Sequence, residues 1–233
     1  MTLPPIKLWH VLALILAALV AGFFYWYNSW NPSFRYRLTV ELNAHGKTLT
    51  ASSIIEAHYK IGSDGNGLRF HADVRGVAPI FDLGPDGTLI AALSYDAADL
   101  SSRQIAKNGF PAYRMPTDAA HIPLQAFGVP PEAINGAKGQ VELDFEFYPA
   151  FVWIPAQTGW QNARQMFYEE IPGKIGAHIR VAKIVVEPAR WETVNTRIDP
   201  APTWLISMKN GESRRNRPNG QFNFISSYVE KGH

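Results

Sequence analysis

From Phe34 to Val74 the chain reads FRYRLTVELNAHGKTLTASSIIEAHYKIGSDGNGLRFHADV, and this stretch decides the fold class. Its first ten residues alternate without a break. Phe34, Tyr36, Leu38, Val40 and Leu42 fall on one face, and Arg35, Arg37, Thr39, Glu41 and Asn43 on the other. A period of two carried by aromatic and β-branched residues describes a strand with one face buried and one solvated. Ala44-His45-Gly46-Lys47 follows as a turn. With His45 and Gly46 at its two central positions, Leu42 faces Leu49, Val40 faces Ala51 and Tyr36 faces Ile55, so apolar meets apolar throughout.

The second strand runs on towards Ile61, and Gly62 to Gly67 turns the chain back into Leu68, Phe70, Ala72 and Val74. Two registers satisfy the apolar faces here. One sets Lys60 against Arg69 and Glu56 against Asp73. The other, shifted by two residues, sets Glu56 against Arg75, His58 against Asp73 and Lys60 against His71. Opposed unlike charges contribute, and like charges cost, roughly 0.2–1 kcal/mol per pair. The second register is therefore expected.

Outward from this meander, Val77 to Leu83, the turn Gly84-Pro85-Asp86-Gly87 and Thr88 to Leu93 read as a further hairpin. Asp96 to Lys107 reads as a short helix capped by Asp96 and stopped by Asn108-Gly109. Phe110 to Gly139 is rich in Pro and Gly and reads as irregular, with one helical turn at Pro131 to Ile134. Strands are expected again at Val141 to Phe147, Phe151 to Ile154, Ala177 to Glu187 and Thr193 to Ile198. The fold class is thus mainly β: an antiparallel meander or sandwich-like soluble domain with short helices, preceded by one N-terminal transmembrane helix.

That helix is read from Leu8 to Tyr27, LWHVLALILAALVAGFFYWY, which carries no charge. About 20 such residues cross a hydrocarbon layer of roughly 30 Å. Trp9 at one end and Phe24, Tyr25, Trp26, Tyr27 and Trp30 at the other form the aromatic belts of two membrane interfaces. A cleaved signal peptide is the rival reading. Its apolar core would be shorter, and Leu19 and Val20 suit a cleavage site poorly. The organisation expected is a tail at 1–7, a membrane helix at 8–28, a linker at 29–33, a β-rich domain at 34–206 and a polar, basic, partly mobile tail at 207–233. Lys7 favours a cytoplasmic N-terminus, whereas Arg35 and Arg37 oppose it. The domain is expected to be exported, which places the protein in a bacterial inner membrane with a periplasmic domain.

Composition narrows the chemistry. Among 233 residues the net charge is +2 and the basic residues are scattered, so no stripe suited to nucleic acid is present. Cysteine is absent, which excludes disulfides, thiolate metal sites and cysteine nucleophiles. No phosphate-binding loop, dinucleotide fingerprint or zinc-protease helix motif occurs, and no cofactor is expected. The sharpest candidates are Glu56 and His58 on one strand and His71 and Asp73 on the next, all on the polar face. Two histidines with two carboxylates are a non-thiolate metal ligand set. His58 with Asp73 would also serve as an acid–base pair. The plain alternative is a solvated strand face with charges paired across the sheet.

Tyr36-Arg37-Leu38-Thr39-Val40-Glu41, Ser53-Ile54-Ile55-Glu56 and Phe81-Asp82-Leu83-Gly84 resemble the strand-and-turn patterns of an uncharacterised group of bacterial envelope proteins. The Val152 region, Ile179 to Glu187 and Trp204-Leu205 are similar in order and spacing. What the resemblance implies is an envelope location, with no functional residue to carry over. The reading as a whole is a single-pass envelope protein held in the bilayer by residues 8–28, whose domain binds an envelope protein partner. A small metal-dependent or His/carboxylate hydrolase using Glu56, His58, His71 and Asp73 is the alternative.

Overall fold

In the strand Ser33–Ala44 (β1) burial alternates residue by residue, with Tyr36, Leu38, Val40 and Leu42 wholly buried. The computed structural model describes residues 8–63, 68–93, 105–107, 110–112, 116–157 and 162–195. The hairpin closes as read: His45 and Gly46 both adopt positive φ, 52° and 73°, the paired left-handed conformation of a two-residue hairpin turn. Leu42 pairs with Leu49, Val40 with Ala51 and Tyr36 with Ile55 along Lys47–Ser63 (β2). Strand Leu68–Arg75 (β3) then pairs with β2 in the charge-complementary register, Glu56 with Arg75, His58 with Asp73 and Lys60 with His71.

On the other flank of β1 lies Arg180–Pro188 (β11), which pairs in turn with the two-residue strand Val141–Glu142 (β8). The result is a five-stranded antiparallel sheet ordered β3-β2-β1-β11-β8. A second antiparallel sheet contains Ile80–Asp82 (β4), Thr88–Ala91 (β5), Phe151–Ile154 (β9) and Arg164–Met166 (β10), ordered β10-β9-β5-β4. Leu89, Ala91, Phe151, Ile154 and Met166 join the inner faces of β1, β2 and β11 in one buried cluster. The protein is therefore mainly β, two antiparallel sheets with few short helices.

Two of those helices are Ile122–Phe127 (α2) and Ile171–Lys174 (α3). The turn before α2 is fastened to the first sheet by two buried phenols. Tyr36 donates to the carbonyl of Ala119 at 2.5 Å, and Tyr59 to that of Ala120 at 2.7 Å. Ala119 N–H in turn donates to Leu93 O at 2.8 Å, past the end of β5. After β11 the chain crosses the outer face of the sheet as a strap. Ala189 N–H bonds Arg35 O, Arg37 pairs with Glu192, and Asn195 N–H bonds Ile54 O. Val194 is buried there, as are Ile54 and Val185.

Several expectations are corrected. Ile105–Lys107, read as the end of a helix, is a strand (β6) paired with Phe110–Ala112 (β7). Lys107 pairs with Phe110, and Asn-Gly in a sequence signals a two-residue hairpin as readily as a helix stop. Asp96 to Gln104 lies outside the described residues. The strand expected from Val141 to Phe147 stops at Glu142, because the Asp144 carboxylate accepts from Glu146 N–H and starts a 3-10 turn at Phe145–Phe147. Ala177, His178 and Ile179 precede the strand, which runs one residue past Glu187 to Pro188. Thr193 to Asn195 is irregular, and the rest of that expected strand lies outside the described residues, as do 207–233. β10 and α2 were not anticipated, although Pro123 and the left-handed Gly128 are ordinary helix start and stop residues.

The N-terminal helix (α1) is Leu8–Trp30, and its described side chains, Trp9 to Phe23 with Trp26 and Tyr27, all face outward. Among the described residues no helix is long and apolar enough to cross a membrane.

Tyr36→Phe removes one donor and leaves the buried carbonyl of Ala119 unsatisfied. It is expected to cost about 1–3 kcal/mol of stability, read as a lower urea midpoint at unchanged slope.

Candidate functional site

The polar face of the meander is where sequence reasoning placed its candidates, and the structure divides them. Glu56 is only 5% exposed. One of its oxygens takes Arg35 Nε at 2.7 Å, and the other lies 3.2 Å from His58 Nε2. His71 and Asp73 are two residues apart on the edge strand β3, with Nε2 and Oδ1 3.7 Å apart and both side chains open to water. Glu56 with His58, and His71 with Asp73, are thus two pairs. Among the described residues no three of these four bring ligand atoms together around one point. Arg37 with Glu187 at 3.0 Å and Lys183 with Glu41 at 3.2 Å continue the same pattern of ion pairs across β1 and β11.

A second polar group surrounds the turn that receives the two phenols. His121 Nδ1 lies 2.6 Å from Asp118 Oδ1, and His121 N–H also donates to that carboxylate at 3.0 Å. The hydrogen bond that the His121 ring donates to the Asp118 carboxylate holds the His121 pKa above its usual value. Partial burial opposes that shift and the carboxylate's charge adds to it. Burial raises both phenols, Tyr36 and Tyr59, and the charge of Asp118 acts in the same direction. They are neutral donors at every physiological pH, and they fasten the turn to the sheet.

The third group was not anticipated. His45 at the tip of the first hairpin, Asp86 in the 3-10 turn Gly84–Asp86 and His178 in the turn before β11 converge from three separate segments. His45 Nε2 lies 3.0 Å from Asp86 Oδ2, and His178 Nε2 lies 3.2 Å from the same oxygen. The imidazole centroids are 4.2 Å apart. Among the described residues this is the one set of three or more His, Asp and Glu side chains arranged to hold a metal ion. Sequence reasoning named His45 only as a turn residue and Asp86 only as part of a hairpin loop. A signal was nonetheless present. Asn is the residue suited to the first position of such a turn before Gly, and a histidine stands there instead.

Of the tryptophans, Trp153 is half-buried and donates Nε1–H to Asp86 O at 2.6 Å, while Trp191 is 96% exposed on the strap. Trp160 and Trp204 lie outside the described residues. No family model matches the chain, and no curated protein or solved structure matches it either.

Because the folded-state pKa of His121 is raised, its bond to Asp118 stabilises fully below about pH 6.5 and fades as pH climbs through the elevated value. Asp118→Asn keeps an acceptor for the His121 amide but loses the charge. The stability gap between wild type and this variant is therefore expected to narrow between about pH 6 and pH 9. Chemical unfolding across that window checks it, and a gap that widens contradicts it.

Proposed function

We infer that the protein is a single-pass, membrane-tethered module of the bacterial envelope, whose β domain binds a protein partner and does not catalyse a reaction. The observation that carries this reading is the state of α1. Trp9, Val11, Leu12, Leu14 and Ile15 are spread around the helix at about 100° per residue, with Ala13 and Ala17 between them, and all are exposed. A helix that is apolar on every side and uncovered by its own domain requires an apolar surrounding. The sequence Leu8 to Tyr27 supplies the length, about 30 Å of uncharged helix. Trp9 at one end, with Phe24, Tyr25, Trp26, Tyr27 and Trp30 at the other, supplies the interfacial aromatics.

A periplasmic domain is the orientation consistent with Lys7 on the cytoplasmic side. Arg35 and Arg37 belong to a folded strand and are engaged by Glu56, Glu187 and Glu192. They sit in a domain too long for loop-charge counting to govern its export. Binding is favoured over hydrolysis because Glu56 has both oxygens engaged and His71 with Asp73 stands apart from it. Trp191, fully presented to solvent near the α1 end of β1, is the kind of side chain that anchors a protein contact.

Alkaline carbonate extraction of membranes tests the tether. Wild type should stay in the pellet, and Leu14→Lys with Ile15→Lys should release it, since each buried lysine costs roughly 2.5–3.5 kcal/mol at the centre of a span. A wild-type chain found in the supernatant, or shortened by cleavage near Gly22, would overturn the reading. Crosslinking in native membranes should yield a discrete adduct that weakens with Trp191→Ala.

A further inference from the structure

We propose that His45, Asp86 and His178 form a divalent-metal site of the zinc type, at the end of β1 opposite α1, with one coordination position open to solvent. A tetrahedral ion bound at about 2.0–2.1 Å holds its ligand atoms about 3.3 Å apart. The two nitrogen–oxygen separations here are 3.0 and 3.2 Å, and all three ligand atoms lie within 4.8 Å of one another. The two nitrogen–oxygen separations thus already match the spacing of tetrahedral ligands, and a small approach of the two imidazoles would complete it. Both histidines present the same atom, Nε2, to the same point. Two imidazoles and one carboxylate are donors that suit zinc and its divalent neighbours, not calcium or magnesium. His45, Asp86 and His178 are all partly open to water, which leaves room for a fourth ligand from solvent or from a partner.

The surroundings hold the ligands in place. Asp86 sits in a turn fastened by Leu83 N–H to Gly87 O at 2.8 Å, by Gly84 N–H to the Asp82 carboxylate at 2.9 Å and by Trp153 to Asp86 O. Gly87, at φ 100°, passes so close to the β9 backbone that a Cβ there would meet Ile154 O at 2.1 Å. The carboxylate is therefore mounted on a rigid corner between β4 and β5. At His178, a Cβ on Gly176 would fall 2.6 Å from the imidazole, so glycine at 176 permits the ring's placement. His45 departs from the residue its own backbone prefers. At φ 52° before a glycine, Asn would be less strained, and such a departure from local preference marks a functional position.

The test uses the 233-residue chain without a histidine tag, purified in mild detergent, stripped with chelator and titrated with zinc. Wild type should bind one equivalent by elemental analysis, and its melting temperature should rise with zinc concentration. Cobalt in place of zinc should give the intense visible absorption of a tetrahedral centre. Asp86→Asn should weaken zinc binding at least about tenfold. His45→Asn is the decisive variant, because Asn suits the turn. Its metal-free melting temperature should equal or exceed that of wild type, while the zinc-dependent rise disappears. His71→Asn, which alters the open pair on β3, should bind as wild type does. The proposal is overturned if His45→Asn binds zinc with wild-type affinity. It is equally overturned if wild type takes up no zinc at about 100 µM, which would leave the three side chains a hydrogen-bonded clasp. Neither readout depends on α1 spanning a membrane.

Discussion

Everything described rests on the inner face of β1 having a neighbour on both sides. Because that face is buried without interruption from Phe34 to Leu42, a slip of one residue would drive arginines into the core. The register is therefore held along the whole strand, and both flanking strands inherit it. β2 carries Tyr59 to the place where, with Tyr36, it meets the carbonyls of the turn before α2. β11 follows β1 to an irregularity between Glu41 and Leu42, where Ala182 is skipped, and the pairing then continues to Asn43 with Arg180, two residues after His178. One strand thus positions both the fastening of the second layer and the convergence at its own far end.

The polar group on the sheet face and the His45–Asp86–His178 group differ in how they are built. On the sheet face, Glu56 is surrounded by groups from its own strand and the next, spaced by the regular repeat, and each charge finds a partner along or across the ladder. Such pairing follows from any alternating sheet with charges on its outer face. The His45–Asp86–His178 group is drawn from two turns and a hairpin tip belonging to different sheets, and no repeat would place them together. Convergence of that kind needs the assembled core behind it.

What could be read from residues alone follows the same division. The β1–β2–β3 meander was legible down to its register, because pattern, turn chemistry and cross-strand charge all act between residues close in sequence. The hairpin from Ile80 to Ala91 was legible for the same reason. Ile105 to Lys107 and Phe145 to Phe147 were misread where two local preferences competed. Asn108-Gly109 serves equally as helix stop and hairpin turn, and Asp144 as strand residue or turn initiator. The convergent group was illegible because Asp86 meets His45 and His178 only once two sheets have packed. The positive φ of His45 was its one local trace, and it becomes informative only when the imidazole is seen to have a destination.

The central position of β1 has a mechanical consequence. The chain enters the strand directly from α1, so a pull on the helix runs along the axis of β1. Its hydrogen bonds to β2 and β11 lie across that axis on both sides. A load of this kind is borne in shear by many bonds at once, not peeled from them one by one. The strap bonded to Arg35 and Arg37 clamps the end where the load arrives. A domain strung this way would resist tension applied along β1 without opening its core.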